Sequence, residues 1–308
     1  MEIDLCDKHI TAMKSLLYLA GFMTGLVFTA CTSDDSSDQN HKSSSKEVVN
    51  ILTRSPEANS ANSTIKAGLY MVNYKNGVHA ELERNENYVN NLQLDYSDGT
   101  WIPQTPIYWQ NTDVCADFYA YAPFNRQVND SRAMAFSVET NQTSDDAWQK
   151  SDLLWGSVQG QSPMDGQFNL MLTHQLSQLI VKVTLGEGFG EGELTDENVS
   201  VTISGSKTTG TIDLQSGTVT ATADIADIHC KNNGNLTYAA ILLPQFISNT
   251  HLVQINWNNN NYTLDKSFLL EANKQYTITI KLKKTQGGLD VGIENWDVID
   301  EDFGGTVG

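Results

Sequence analysis

Cysteine is scarce, with four in 308 residues. Cys6 and Cys31 lie near the start, and Cys115 and Cys230 stand far apart, so no disulfide framework of the kind that staples small secreted domains is present. For that last pair, two buried free thiols are expected over a mutual bond. Basic residues are few as well: 19 Lys and Arg against 37 Asp and Glu give a net charge of −18. That balance excludes nucleic acid as a partner, because phosphate binding needs clustered cations that release counterions. The histidines (His9, His41, His79, His174, His229, His251) are scattered, no zinc spacing joins them to the cysteines, and no run follows the calcium-loop pattern. No apolar run reaches the roughly 20 residues of a membrane-spanning helix. No long stretch carries a helical period. No metal, cofactor or catalytic residue is therefore assigned.

One formal match to enzyme chemistry fails on spacing. Ser204-Gly205-Ser206-Lys207 fits S-x-x-K, and Lys207-Thr208-Thr209-Gly210 is loosely K-T-G, but the two overlap on a strand-to-turn segment and share Lys207. In serine acyl enzymes the elements are separate. The tryptophans (Trp101, Trp109, Trp148, Trp155, Trp257, Trp296) could serve as sugar platforms, yet sandwich cores use tryptophan heavily and core packing is the expectation.

What the chain does carry begins with an address. Lys14 follows Met13, a largely apolar run extends from Leu16 to Phe28, and small residues Thr29-Ala30 precede Cys31, which is the layout of a signal peptide. Phe28-Thr29-Ala30-Cys31 resembles a bacterial lipoprotein box, which implies cleavage before Cys31 and lipid on it. Several acyl chains hold a protein on a membrane far more firmly than one. Residues 1–30 include Glu2, Asp4, Asp7, Lys8 and Lys14, so the remainder keeps 34 acidic and 17 basic residues, a net charge of −17. From Thr32 to Lys46 no large apolar residue occurs, so nothing offsets the entropy of ordering the segment, and it reads as a tether. Its Ser33-Asp34-Asp35 resembles the acidic export tag of surface lipoproteins in Bacteroidales-type bacteria.

Glu47-Val48-Val49-Asn50-Ile51-Leu52-Thr53 is the first expected strand, apolar on both faces and closed by Arg54-Ser55-Pro56. It stands alone between polar segments. Beyond it, apolar residues recur with period two, the mark of strands buried on one face: Phe118, Ala120 and Ala122 against Asp117, Tyr119 and Tyr121; Tyr276, Ile278, Ile280 and Leu282 against Thr277, Thr279, Lys281 and Lys283. The acidic run Glu294–Asp302 reads as a solvated end. Turn signals recur, and the richest break is Gly160–Gly166. The expected organisation is a signal peptide (1–30), a lipidated tether (31–46) and two tandem antiparallel β-sandwich domains, 47–165 and 166–308.

Several blocks share a resemblance. Ala116–Pro123, Ser151–Gly156, Leu172–Leu179 and the ending Tyr276–Leu282 with Trp296 are similar, in order, to the fimbrillin-like lipoproteins of Bacteroidales-type bacteria. The resemblance implies transthyretin-like sandwiches in a type V pilus subunit, a non-enzymatic, adhesive protein delivered to the outer membrane by lipid on Cys31. It further implies cutting by a trypsin-like protease after an arginine, here between Arg54 and Ser55. Loss of the first strand, with Val48, Val49, Ile51 and Leu52, would open a groove that a strand from another pilus subunit fills, in a homo- or hetero-polymer. Two or three of those side chains facing the core would contribute roughly 3 to 8 kcal/mol. An alternative reading is a tethered surface glycan-binding lipoprotein. Stalk, tip and anchor roles, any host or glycan ligand, and the identity of the donor strand stay open.

Overall fold

The computed structural model describes residues 47–54, 65–75, 77–97, 100–248, 251–284 and 291–302, with backbone alone for 52–54 and 291–302. The lipoprotein box, Cys31, the tether and Ser55 lie outside the described residues.

The chain is all-β. Its first half supplies β1 (Asn50–Arg54), β2 (Lys66–Tyr74), β3 (Val89–Ser97), β4 (Thr100–Pro103), β5 (Cys115–Ala122), β6 (Met134–Ser137) and β7 (Leu154–Gln161). With β8 (Gln167–Met171) and β9 (Thr173–His174) they build a sheet ordered β4-β3-β2-β5-β7-β9 and a separate β1-β8 pair. The second half supplies β10 (Ser177–Leu185), β11 (Val199–Lys207), β12 (Thr209–Asp213), β13 (Thr218–Ala221), β14 (Ile225–His229), β15 (Lys231–Asn232), β16 (Thr237–Leu242) and β17 (Gln245–Ile247). It continues with β18 (Val253–Trp257), β19 (Asn260–Leu264), β20 (Phe268–Leu270), β21 (Lys274–Lys284) and β22 (Val291–Asp302). Its two main sheets are β15-β16-β10-β21-β22 and β14-β11-β18-β19. Ile278 and Ile280 of one and Val201 and Ile255 of the other lie in one buried cluster, as sandwich packing requires.

Among the described strands, pairing is antiparallel except for β1 with β8 and β10 with β21. Parallel neighbours need a long crossover, and here most of the second sheet intervenes between β10 and β21. Ser204 to Lys207 lie on β11, not on a helical turn, and Ser204 Oγ accepts from Gln254 Nε2 at 2.6 Å.

Three findings depart from the sequence expectations. Strand β5 is buried on both faces, not one, and β2 beside it is likewise buried on both. Leu69, Met71, Phe118 and Ala120 enter the first cluster, while Tyr70, Val72, Tyr119 and Tyr121 enter the larger cluster that runs on into the second half. The amphipathic tyrosines imitate a solvent face in sequence. Even Asp117 is fully buried, its Oδ1 accepting from the Gly160 amide at 2.9 Å and its Oδ2 lying 2.8 Å from His79 Nδ1.

A short helix, α1 (Asp145–Ser151), also went unread. Ser144 caps it by accepting from the Ala147 amide, Asp145 and Asp146 suit its first turn, and Trp148 packs on the large cluster. Seven residues are too few for a periodic signal. The Glu294–Asp302 run, expected as a solvated end, lies on edge strand β22, paired with β21 from Lys274↔Asp302 to Lys284↔Val291, and its side chains lie outside the described residues. Cys230 is a buried free thiol, whereas Cys115 is disulfide-bonded, so the two are not joined and the expectation of two free thiols holds only for Cys230.

Strands β8 and β9 pair with β1 and β7, and Phe168, Leu170 and Leu172 belong to the first cluster. We propose a domain division near Gln175, after these strands, in place of 165/166.

Candidate functional site: the first strand and the groove beside it

The first strand is held in two registers. Residues 47–49 run antiparallel to 107–109: the Val49 amide donates to Ile107 O at 2.8 Å, the Trp109 amide donates to Glu47 O at 2.9 Å, and Val48 bridges Tyr108. Then β1 turns to lie parallel to β8, with Ile51 opposite Phe168 and Arg54 opposite Met171.

Alternation assigns the apolar side chains. Successive strand residues point to opposite faces. Val49 is 6% exposed and Ile51 half-buried, both against the first cluster, while Val48 is 43% exposed on the other side. The Leu52 and Arg54 side chains lie outside the described residues, although their backbones close the strand. The pair that faces inward contributes roughly 2 to 4 kcal/mol. Within the cluster they share lies an aromatic stack: Phe118 and Phe168 centroids are 4.7 Å apart, and Trp109 meets Phe118 edge-on at 5.9 Å.

The partner strand is pinned by a glycine. A Cβ at Gly156 of β7 would sit 1.9 Å from the Met171 carbonyl oxygen, so only glycine lets β8 lie this close. Gly156 thus fixes the strand on which β1 rests. At the other end of the chain, β22 occupies the edge of its five-stranded sheet.

Next to residues 47–49 lies an open groove of about 530 Å³ between the start of β3 and the 104–108 loop. Tyr88 (44% exposed), Tyr108 (39% exposed) and Arg126 are among its lining residues. The Tyr88 hydroxyl donates to Tyr108 O at 3.0 Å, which ties the two walls together. Gln93 Nε2 and Gln104 Nε2 donate to the two oxygens of Asp95 at 2.7 and 3.0 Å. Those amides, helped by Lys66, hold the Asp95 carboxyl below its ordinary range.

None of these groove residues stood out in the sequence. Tyrosines in a β-rich chain are ordinary, and nothing local distinguishes Arg126. The tryptophans behave as core residues where described: Trp101 and Trp109 are buried, and Trp148, Trp155 and Trp257 pack partly buried on the large cluster. The Trp296 side chain lies outside the described residues. Among the described residues, no group of three or more His, Cys, Asp or Glu could hold a metal, and no helix is long and apolar enough to cross a membrane.

Comparison with known proteins places the chain in context. A family model described as fimbrillin-like matches residues 53–296. A crystal structure from Bacteroides uniformis, provisionally assigned to cell adhesion, is 18% identical and superposes with a TM-score of 0.64, over 85% of this chain and 99% of the other. A second, from Bacteroides ovatus and assigned likewise, is 15% identical with a TM-score of 0.61, over 84% and 98%. These likenesses establish a shared fold. No curated protein sequence matches.

Proposed function

The chain belongs to the fimbrillin-like family, and from that premise we propose that it is a type V pilus subunit, structural and adhesive rather than enzymatic. It is exported as a lipoprotein with lipid on Cys31, reaches the outer membrane, is cut between Arg54 and Ser55 by a trypsin-like protease, and polymerises by donor-strand exchange with other pilus subunits.

The observation that carries this reading is the manner in which the first strand is attached. Val49 and Ile51 plug the first cluster, yet β1 has a single described strand partner, and its end coincides with Arg54. One cut there separates the whole plug from the domain. Its departure would strip a partner from β8 and uncover apolar side chains, leaving a template for an incoming strand. An apolar strand from a second chain restores both. Edge strand β22 is a candidate donor, since its withdrawal would break one ladder only.

Processing and assembly are tested together. Treatment of the secreted precursor with a trypsin-like protease is expected to give a new terminus at Ser55 and SDS-resistant multimers. An Arg54→Ala chain is expected to stay monomeric, and normal polymerisation of that chain would end the proposal.

A further inference from the structure

We propose that the groove between β3 and the 104–108 loop is a binding site for an acidic oligosaccharide, with the rings of Tyr88 and Tyr108 as platforms and Arg126 as the partner of a sugar carboxylate. The inference goes beyond assembly and is made for the uncleaved chain, in which residues 47–49 hold the Tyr108 wall.

Three observations carry it. The first is the surface offered. Its volume of about 530 Å³ falls within the usual range for ligand sites of about 300 to 1,000 Å³, with room for roughly two or three sugar rings. Two half-exposed tyrosines line it, and the bond from the Tyr88 hydroxyl to the Tyr108 backbone carbonyl restrains the Tyr88 ring before any ligand arrives. Amphipathic rings suit pyranoses, which present apolar C–H faces beside hydroxyls. Gln93 and Gln104 are likewise held by Asp95 through their Nε2 groups; Gln93 is buried and Gln104 is exposed. Restrained polar groups lose less entropy on binding.

The second is charge. In a chain of net charge −18, no Asp or Glu lines the groove, and Arg126 is the single charged residue that does. It is exposed and makes no ion pair among the described residues. The other arginines described with their side chains, Arg84 and Arg132, are paired with Asp130 and Asp213. An unpaired guanidinium in an acidic molecule suits a carboxylate, which it can grip bidentately.

The third argues against a peptide strand as the occupant. The start of β3 has a register shift between Leu69 and Met71 of its partner strand, and Asn91 there has φ of 50°. Asn91 is locked in that conformation, since its Nδ2 donates to Asn125 O at 2.9 Å and its Oδ1 accepts from the Tyr121 hydroxyl at 2.8 Å. A bulge of this kind breaks the backbone ladder that strand addition needs. Recognition is left to side chains.

The test is saturation-transfer NMR and calorimetry on the full chain with trigalacturonate and 3′-sialyllactose, and with maltotriose as the neutral control. Saturable binding of at least one acidic sugar is expected. Tyr88→Ala and Tyr108→Ala should each weaken it about tenfold. Tyr88→Phe should retain most of it, because the ring remains. Arg126→Gln should reduce the acidic sugar to the level of maltotriose. Absence of saturable binding by both acidic sugars up to about 10 mM would overturn the proposal. So would binding that all these variants leave unchanged, or chemical shift changes at the groove amides produced by a synthetic 291–302 peptide in place of the sugars. Because the sugars are tested on uncleaved chain, pilus assembly can succeed or fail independently of each result.

Discussion

Substituting Val48 and Val49 separately tests how the first strand sits, because adjacent residues there have opposite environments. Val49 is 6% exposed in the first cluster and Val48 is 43% exposed. Val49→Ala removes two buried methyl groups at about 0.8 kcal/mol each, and the cavity left behind raises the loss to about 2 kcal/mol. Val48→Ala removes the same atoms from a partly solvated position and should cost less than about 0.5 kcal/mol. Native-state hydrogen exchange reads the difference locally, since the residue 49 amide donates to Ile107 O and the Trp109 amide to Glu47 O. Protection at both amides should fall about thirtyfold in Val49→Ala and less than about threefold in Val48→Ala. In chain nicked after Arg54, the same ratio should appear in the rate at which the fragment leaves. Equal losses for the two variants, or a loss at residue 49 that leaves the Trp109 amide untouched, would refute this seating of the strand.

Gly156→Ala should destabilise the chain by about 2 kcal/mol or more, because its Cβ meets the Met171 carbonyl, with the loss of exchange protection concentrated in β8 and residues 49–51. The buried His174 and Asp152 pair, 2.7 Å apart, should lose about 3 kcal/mol or more in His174→Ala, whereas Asp152→Asn keeps an acceptor and should lose less in urea denaturation. Burial pushes the Cys230 thiol far above its ordinary range, so above about pH 8.5 the unfolded chain releases a proton that the folded chain keeps. Stability should fall with rising pH by about 1.4 kcal/mol per unit on this account, and Cys230→Ala should flatten that limb between about pH 8.5 and 10. Beyond pH 10 the buried phenols of Tyr70, Tyr121 and Tyr238, raised mainly by desolvation, should steepen it again in both chains.

Period-two alternation made the all-β class legible, together with nearly every long strand, since each residue pair i, i+2 carries its own record of which face is buried. The record misled at β5. Tyr119 and Tyr121 carry hydroxyls, so they imitate a wet face, yet the Tyr121 hydroxyl donates to Asn91 Oδ1 while its ring is fully buried. A central strand covered on both sides thus looks like a half-buried one whenever one face is lined by tyrosine. Short elements fared worse: α1 and β9 have too few residues to show a period, and both depend on neighbours far along the chain.

The first strand was legible for a related reason. Four apolar residues between polar stretches have no local company, so their partners had to come from elsewhere, and the structure supplies β8 and residues 107–109. Which valine faced inward was not legible, because Val48 and Val49 are chemically identical and only the hydrogen bond from Val49 to Ile107 O sets the phase. The groove was wholly illegible. Tyr88, Tyr108 and Arg126 are separated in sequence and meet because the bulge in β3 and the bonds from residues 47–49 to the 107–109 segment position its two walls. The phase that buries Val49 therefore also leaves Val48 bridged to Tyr108 on the outer side, so the strand's register and the groove's wall are one structural decision. A one-residue slip there would bury Val48, expose Val49 and move the wall with it.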